Sequence, residues 1–195
     1  KLGFAGVSET ALGAQEVTYG VNDLLQHADN GLFISSACPS VVEFISKHLP
    51  HYKNNISPIL SPLLAHTKLL KKEFGNDIIV VFFGPCIAKK LESDRYPEYL
   101  NLALTFPELK HLLERNNINI SENTSTEEDF VPYAAEEGGL YPIDGGMIKT
   151  MNLNKDCSDI ETLAISGLEH IKYYLEGFDG QEIDRKIFIE ALACK

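Results

Sequence analysis

The chain has 195 residues, of which 44% are hydrophobic, and a formal net charge of −11 from 28 acidic and 17 basic residues. This hydrophobic fraction supports one large domain or two small lobes with a real core. The acidic balance argues against nucleic acid and anionic membranes as partners, because both require a basic footprint. No apolar run is long enough to cross a membrane and no signal-peptide pattern opens the chain, so we expect a cytoplasmic protein.

Predicted strands and helices alternate along the first half of the chain. Apolar residues recur at helical spacing through residues 39–49, and Pro50 ends that helix. Ser-Pro pairs at 57–58 and 61–62 open the next helix, which runs to about residue 74 and stops at Gly75. The remaining helices of this half are predicted at 9–28 and 107–115. The strands are predicted at 2–7, 32–35, 77–83 and 102–105, with 77–83 buried on both faces.

The second half begins with a segment of different character. Residues 118–137 are polar, carry an acidic run at 127–129 and lack periodicity, which predicts a surface loop or a connection between two lobes. Beyond it we predict a helix that starts at Met147, a strand at 162–165, a helix at 168–176 and a strand at 187–193. This alternation favours an α/β fold with mostly parallel strands.

Four cysteines, Cys38, Cys86, Cys157 and Cys194, lie far apart and form no CxxC pair. Three of them follow or end a predicted strand, where ligands collect in an α/β sheet. The helix that starts after Cys38 and the lysines that follow Cys86 favour a thiolate. A thiolate is the form that binds a metal or an iron–sulfur cluster, whereas the alternative is that each cysteine is a small buried hydrophobe. Cys157 lies in a polar stretch and is predicted to be an incidental loop thiol.

The segments around these three cysteines resemble the signatures of iron-only hydrogenases. Residues 35–39, Ser-Ser-Ala-Cys-Pro, resemble the first signature, T-S-C-C-P-G-W. Residues 84–92, Gly-Pro-Cys-Ile-Ala-Lys-Lys-Leu-Glu, resemble the second, M-P-C-x-x-K-x-x-E. Residues 188–194, Phe-Ile-Glu-Ala-Leu-Ala-Cys, resemble the start of the third, E-x-M-A-C-x-x-G-C. The motifs occur in the family's order, and the resemblance covers nearly the whole chain.

The resemblance implies an α/β domain of two lobes, each of mostly parallel sheet flanked by helices, with a cluster cleft between them. The domain would span residues 1–195 with the lobe connection near 118–137. In that family four cysteines hold a [4Fe–4S] cluster, and one of them bridges to a two-iron subcluster. By motif, three of these ligands are Cys38, Cys86 and Cys194. The fourth is expected a few residues past Lys195. We therefore expect the chain to be a fragment of a longer protein, and the two-iron subcluster to be absent from this fragment.

The resemblance also implies roles for three polar residues. Lys89 falls where the family has a lysine that hydrogen-bonds a cyanide ligand, while Glu92 and Ser57 fall on its proton path. Without the resemblance, Glu92 reads as an ordinary surface acid and Ser57 as a helix cap. An ammonium beside an anionic iron centre is stabilising, and carboxylates and hydroxyls relay protons by hydrogen bonding.

Several positions depart from the family pattern. Ala37 stands where the family has a cysteine that passes protons to the two-iron site, and Gly84 and Leu192 stand where its second and third motifs have methionine. The glutamates upstream in the proton path have no clear match. One hypothesis is therefore a hydrogenase for reversible proton reduction, supplied with electrons by a ferredoxin or adjoining iron–sulfur domains. The second is a catalytically weak or inactive relative that acts as a redox or hydrogen sensor or in iron–sulfur assembly. A third is a plain α/β domain without metal.

Overall fold

The computed structural model describes residues 3–119, 130–154 and 159–194, apart from the side chains of residues 152–154. The helices are α1 Ala11–His27, α2 Pro39–His48, α3 Pro62–Phe74, α4 Lys89–Arg95, α5 Phe106–Arg115, α6 Gly146–Asn154 and α7 Leu168–Glu176. The strands are β1 Gly31–Ile34, β2 Val81–Phe83, β3 Leu102–Leu104, β4 Ile160–Ser166 and β5 Lys186–Leu192. Short 3₁₀ turns cover Pro50–Asn55 and Glu137–Leu140. None of the helices described is long and apolar enough to cross a membrane.

The strands described form two parallel sheets. In the first, β5 lies between β1 and β4, with Ile189 opposite Ile34 on one side and opposite Leu163 on the other. In the second, β2 pairs with β3. The predicted α/β class with parallel strands is thereby confirmed, since helices separate the parallel strands along the chain as such pairing requires.

Contacts divide the chain into two compact units. The larger unit, residues 10–66 and 135–195, contains the three-stranded sheet, and the smaller unit, residues 1–9 and 67–134, contains the two-stranded sheet. Helix α3 contributes residues to both units. The lobe connection near 118–137 stays a prediction, and residues 120–129 of it lie outside the described part of the chain.

The core of the larger unit follows from the alternation of side chains along β5. Ile187, Ile189 and Ala191 pack on one face with apolar residues of α2 and α7. Phe188 packs on the opposite face with apolar residues of α1 and α6. Because both faces of β5 are covered, its sequence is a nearly continuous apolar run rather than an alternating one.

Most predicted elements are confirmed to within two residues at each end, but three differences stand out. Residues 3–9 form no strand, and Val7 accepts a single backbone hydrogen bond, from Val131, rather than entering a ladder. The strand predicted at 77–83 with both faces buried begins only at Val81, its residues are half-buried, and Ile79 just before it is 77% exposed, so packing does not cover both faces. Helix α4 was not predicted, since its sequence, Lys-Lys-Leu-Glu-Ser-Asp-Arg, contains one apolar residue.

Candidate functional site

Cys38 and Cys194 lie at the same edge of the larger unit's sheet. Cys38 follows β1 and Cys194 follows β5, and these strands are parallel neighbours, so both cysteines come after carboxyl ends. The N–H of Ser35 donates to the carbonyl of Ile189 at 2.8 Å, which continues the β1–β5 pairing beyond β1. Cys38 is half-buried and Cys194 is exposed. The edge where ligands collect in α/β sheets therefore carries two thiols.

Cys38 is also the residue that begins α2. Its carbonyl accepts hydrogen bonds from the N–H groups of Val41 and Val42, both at 3.1 Å, and Pro39 supplies the fixed φ angle suited to a first helical residue. Cys38 consequently lies at the positive end of the α2 helix dipole.

Cys86 belongs to the smaller unit, three residues after β2. The N–H of Gly84 donates to the carbonyl of Leu104 at 3.0 Å and so extends the pairing with β3 up to the turn that carries Cys86. A Cβ added at Gly84 would lie 2.3 Å from the Cζ of Phe82. The ring of Phe82 therefore occupies the space that a side chain at position 84, such as the methionine of the family motif, would need.

Lys89 and Glu92 form a buried ion pair directly after this turn. The Nζ of Lys89 lies 2.7 Å from Oε2 of Glu92, and the two side chains are 13% and 8% exposed. The backbone N–H of Lys89 donates to the carbonyl of Cys86 at 3.3 Å, so α4 starts on the cysteine turn itself. Glu92 is thus not the ordinary surface acid that its sequence context alone indicates, and its burial explains why it needs a cationic partner.

Ser57 belongs to the larger unit and does not cap a helix, contrary to its reading from local sequence. Helix α3 starts at Pro62, and the capping hydroxyl is that of Ser61, which accepts a hydrogen bond from the N–H of Leu64. Ser57 is 5% exposed, donates its N–H to the carbonyl of Ile34 and accepts the N–H of Ile59 at its Oγ. It holds the segment after the first 3₁₀ turn against β1.

The predicted site residues are therefore divided between the units. Cys38, Ser57 and Cys194 lie in the larger unit, whereas Cys86, Lys89 and Glu92 lie in the smaller one. Within the described residues, the three cysteines are free thiols, and no group of three or more His, Cys, Asp or Glu side chains is gathered as a metal site. Cys157 lies outside the described residues. Free thiols at strand ends fit the donor chemistry of an iron–sulfur cluster, and their role as ligands stays a prediction.

Sequence reasoning assigned no role to Glu190, although the residue lies in the third signature. Glu190 is 2% exposed, and its carboxylate accepts the N–H groups of Met147 and Ile148 at 3.3 and 3.1 Å. Burial raises the pKa of Glu190, and the two amide donors partly offset that rise. The signal that could have found it is a single acidic residue inside the apolar run of β5, since a buried carboxylate requires partners.

Comparison with known proteins places these observations in a family. The whole chain, residues 1–195, matches the family model described as iron only hydrogenase large subunit, C-terminal domain. Two variants of the [FeFe]-hydrogenase HydA1 from Chlamydomonas reinhardtii are 19% and 18% identical to the chain, each with a TM-score of 0.72. An apo form of a third variant of that enzyme is 17% identical with a TM-score of 0.64. Each match covers 98% of this chain and 68% of the solved chain, and at these identities it shows a shared fold.

Proposed function

We propose, because this chain belongs to the family of C-terminal domains of iron-only hydrogenases, that it is an iron–sulfur domain holding a [4Fe–4S] cluster through Cys38, Cys86 and Cys194. The family is one of hydrogenases, which are oxidoreductases with an iron–sulfur cofactor. The observation that carries the proposal is the position of Cys38 and Cys194 after the carboxyl ends of adjacent parallel strands. Thiolates are the protein ligands that such clusters use, and when bound the cluster would supply electron transfer.

The surroundings of Cys86 support the same proposal. Its turn leads directly into α4, whose first residue is Lys89, and the Nζ of that lysine lies 2.7 Å from the carboxylate of Glu92. If a two-iron subcluster is present, Lys89 is the residue that would donate hydrogen bonds to its anionic ligands. By motif, Glu92 and Ser57 would then belong to the path that delivers protons to it.

We further propose that hydrogen turnover by this domain is slow and that it serves as a redox or hydrogen sensor, or in iron–sulfur assembly. Ala37 favours a role in sensing or assembly, because a methyl group cannot carry a proton at the position where the family has a thiol. The buried pair of Lys89 and Glu92 instead favours an active hydrogenase that reversibly reduces protons, since both residues match the family motif. In either case a ferredoxin or adjoining iron–sulfur domains would exchange electrons with the cluster.

Cluster binding is tested by replacing each cysteine with serine in the protein at its natural full length. After anaerobic reconstitution with iron and sulfide, Cys38→Ser, Cys86→Ser and Cys194→Ser should each lose about four iron and four sulfide per chain relative to the wild type, because the ligand set is incomplete. Cys157→Ser is the matched control and should keep the wild-type content. Wild-type iron content in both Cys38→Ser and Cys194→Ser would contradict the proposal.

A further inference from the structure

Glu190 connects the strand that carries Cys194 to the start of a helix. It lies in β5, four residues before Cys194, and its two carboxylate oxygens accept the N–H groups of Met147 and Ile148 in the first turn of α6. Amides at a helix start have no acceptor within the helix, and the dipole there favours an anion. Since the carboxylate is buried, these two bonds give its oxygens hydrogen-bond donors and also give the first amides of the helix an acceptor.

The hydrogen bonds continue from α6 to the loop that carries Cys38. The hydroxyl of Ser35 donates to the sulfur of Met147 at 3.3 Å, and both residues are 1% exposed. The same hydroxyl oxygen accepts the N–H of Ala37 at 3.2 Å, one residue before Cys38. A contiguous path of hydrogen bonds therefore runs from Glu190 through Met147 and Ser35 to Ala37.

We propose that Glu190 is a positioning residue that fixes the backbone of residues 35–38 through Met147 and Ser35, and so couples the two strand ends that carry Cys38 and Cys194. The proposal rests on the proposed function in that it takes these cysteines as ligands. The simpler role is local, in which Glu190 only caps α6. The two roles differ at Ala37, whose N–H is remote from Glu190 in sequence and is connected to it here through the path.

A methionine sulfur is a weak acceptor, and it can hold the Ser35 hydroxyl in one orientation only if Met147 itself stays in place. Met147 is the second residue of α6, and loss of a charged acceptor at that turn frees its backbone. The hydroxyl of Ser35 would then turn to other partners, and the N–H of Ala37 would lose its acceptor for part of the time. Opening of this kind is measured directly by amide hydrogen exchange.

The test is amide exchange, followed by NMR, in the metal-free protein. Glu190→Gln should speed exchange at Met147 and Ile148 on the order of tenfold, since a bond to a charged acceptor is replaced by a neutral one. Exchange at Ala37 should become at least about threefold faster. Met147→Leu keeps the volume but removes the sulfur, so it should speed exchange at Ala37 and leave Ile148 unchanged. Glu182→Gln removes one exposed charge and should change none of these rates.

Unchanged exchange at Ala37 in Glu190→Gln, with faster exchange at Met147 and Ile148, would reduce Glu190 to a helix cap and overturn the proposal. If Glu190→Gln does not fold, Met147→Leu decides alone, and unchanged exchange at Ala37 in that variant overturns the proposal equally. Because the measurement is made without metal, its failure is separate from that of the cluster proposal, which is decided by the iron content of the cysteine variants.

Discussion

The residues next to the candidate ligands determine which chemistry a bound cluster could support. Ala37 is half-buried, and its N–H is directed to the hydroxyl of Ser35, so the backbone before Cys38 is fixed while the side chain offers no exchangeable proton. On the other unit, the buried pair of Lys89 and Glu92 holds both an ammonium and a carboxylate. A buried pair of this kind costs desolvation energy and is not in itself evidence of stabilisation, which makes a functional role for it worth testing.

Replacement of Ala37 by cysteine separates the two candidate functions. A well-placed proton carrier contributes roughly 10²–10⁴ in rate. We expect Ala37→Cys, in the full-length protein with its metal site loaded, to raise hydrogen evolution by less than about tenfold. The reason is that Gly84 and Leu192 still replace the motif methionines. Hydrogen evolution with a chemical reductant measures this, and Ser40→Cys controls for an added thiol nearby. A rise of two powers of ten would show an enzyme lacking one proton carrier and would contradict the sensor proposal.

Among the elements, those with a periodic apolar pattern and clear end signals were predictable. Helix α3 has a Pro start and a Gly stop, and Gly75 has a φ of 98°, which favours glycine. Helix α4 has no apolar period, and the short apolar segment predicted as a strand at 2–7 contains no information on whether a pairing strand exists. The capping role of Glu190 could not be predicted from the sequence either, because Glu190 lies more than forty residues from the helix start that it caps.

The 3₁₀ turn Glu137–Leu140 provides a test of element packing with an internal control. A Cβ at Gly138 would lie 2.0 Å from the carbonyl oxygen of Ala11, whereas one at Gly139 would meet nothing within 4 Å. We expect Gly138→Ala to lower the free energy of unfolding by about 2–3 kcal/mol, because the turn must move off the start of α1. Gly139→Ala should stay within about 0.5 kcal/mol of the wild type. Urea denaturation measures both, and equal effects would show that the turn does not pack closely on α1.

At the scale of the whole molecule, the candidate ligands can be proposed from the sequence one by one but not as a set. Each signature is local, so the residues around Cys38, Cys86 and Cys194 suggest them as ligands, and that role stays a prediction. The position of Cys38 and Cys194 at one sheet edge depends on the strand order β1-β5-β4, which places β5 beside a strand far from it in sequence. No periodicity encodes that order, because it results from packing helices on both faces of the sheet.

His66 links the stability of the molecule to pH. It lies in α3, the helix that contributes to both units, and is 4% exposed. Burial lowers the pKa of His66 from its usual 6.5 to about 4, because the charged imidazolium is poorly solvated there. The unfolded chain therefore binds a proton near pH 6.5 and the folded chain only near pH 4. Between these values the unfolded state holds more protons, so the free energy of unfolding falls as the pH falls.

Between pH 7 and pH 5 this proton uptake should lower the free energy of unfolding by about 2 kcal/mol, at 1.36 kcal/mol for each pKa unit. His66→Gln cannot take up the proton, so its free energy of unfolding should fall by about 2 kcal/mol less than that of the wild type over this range. Glu190, whose raised pKa acts in the opposite direction, is present in both proteins and cancels in the comparison. Urea denaturation at pH 7, 6 and 5 measures the difference, and His27→Gln, an exposed histidine in α1, is the matched control. Parallel curves for the wild type and His66→Gln would show that His66 is as readily protonated in the folded protein as in the unfolded chain.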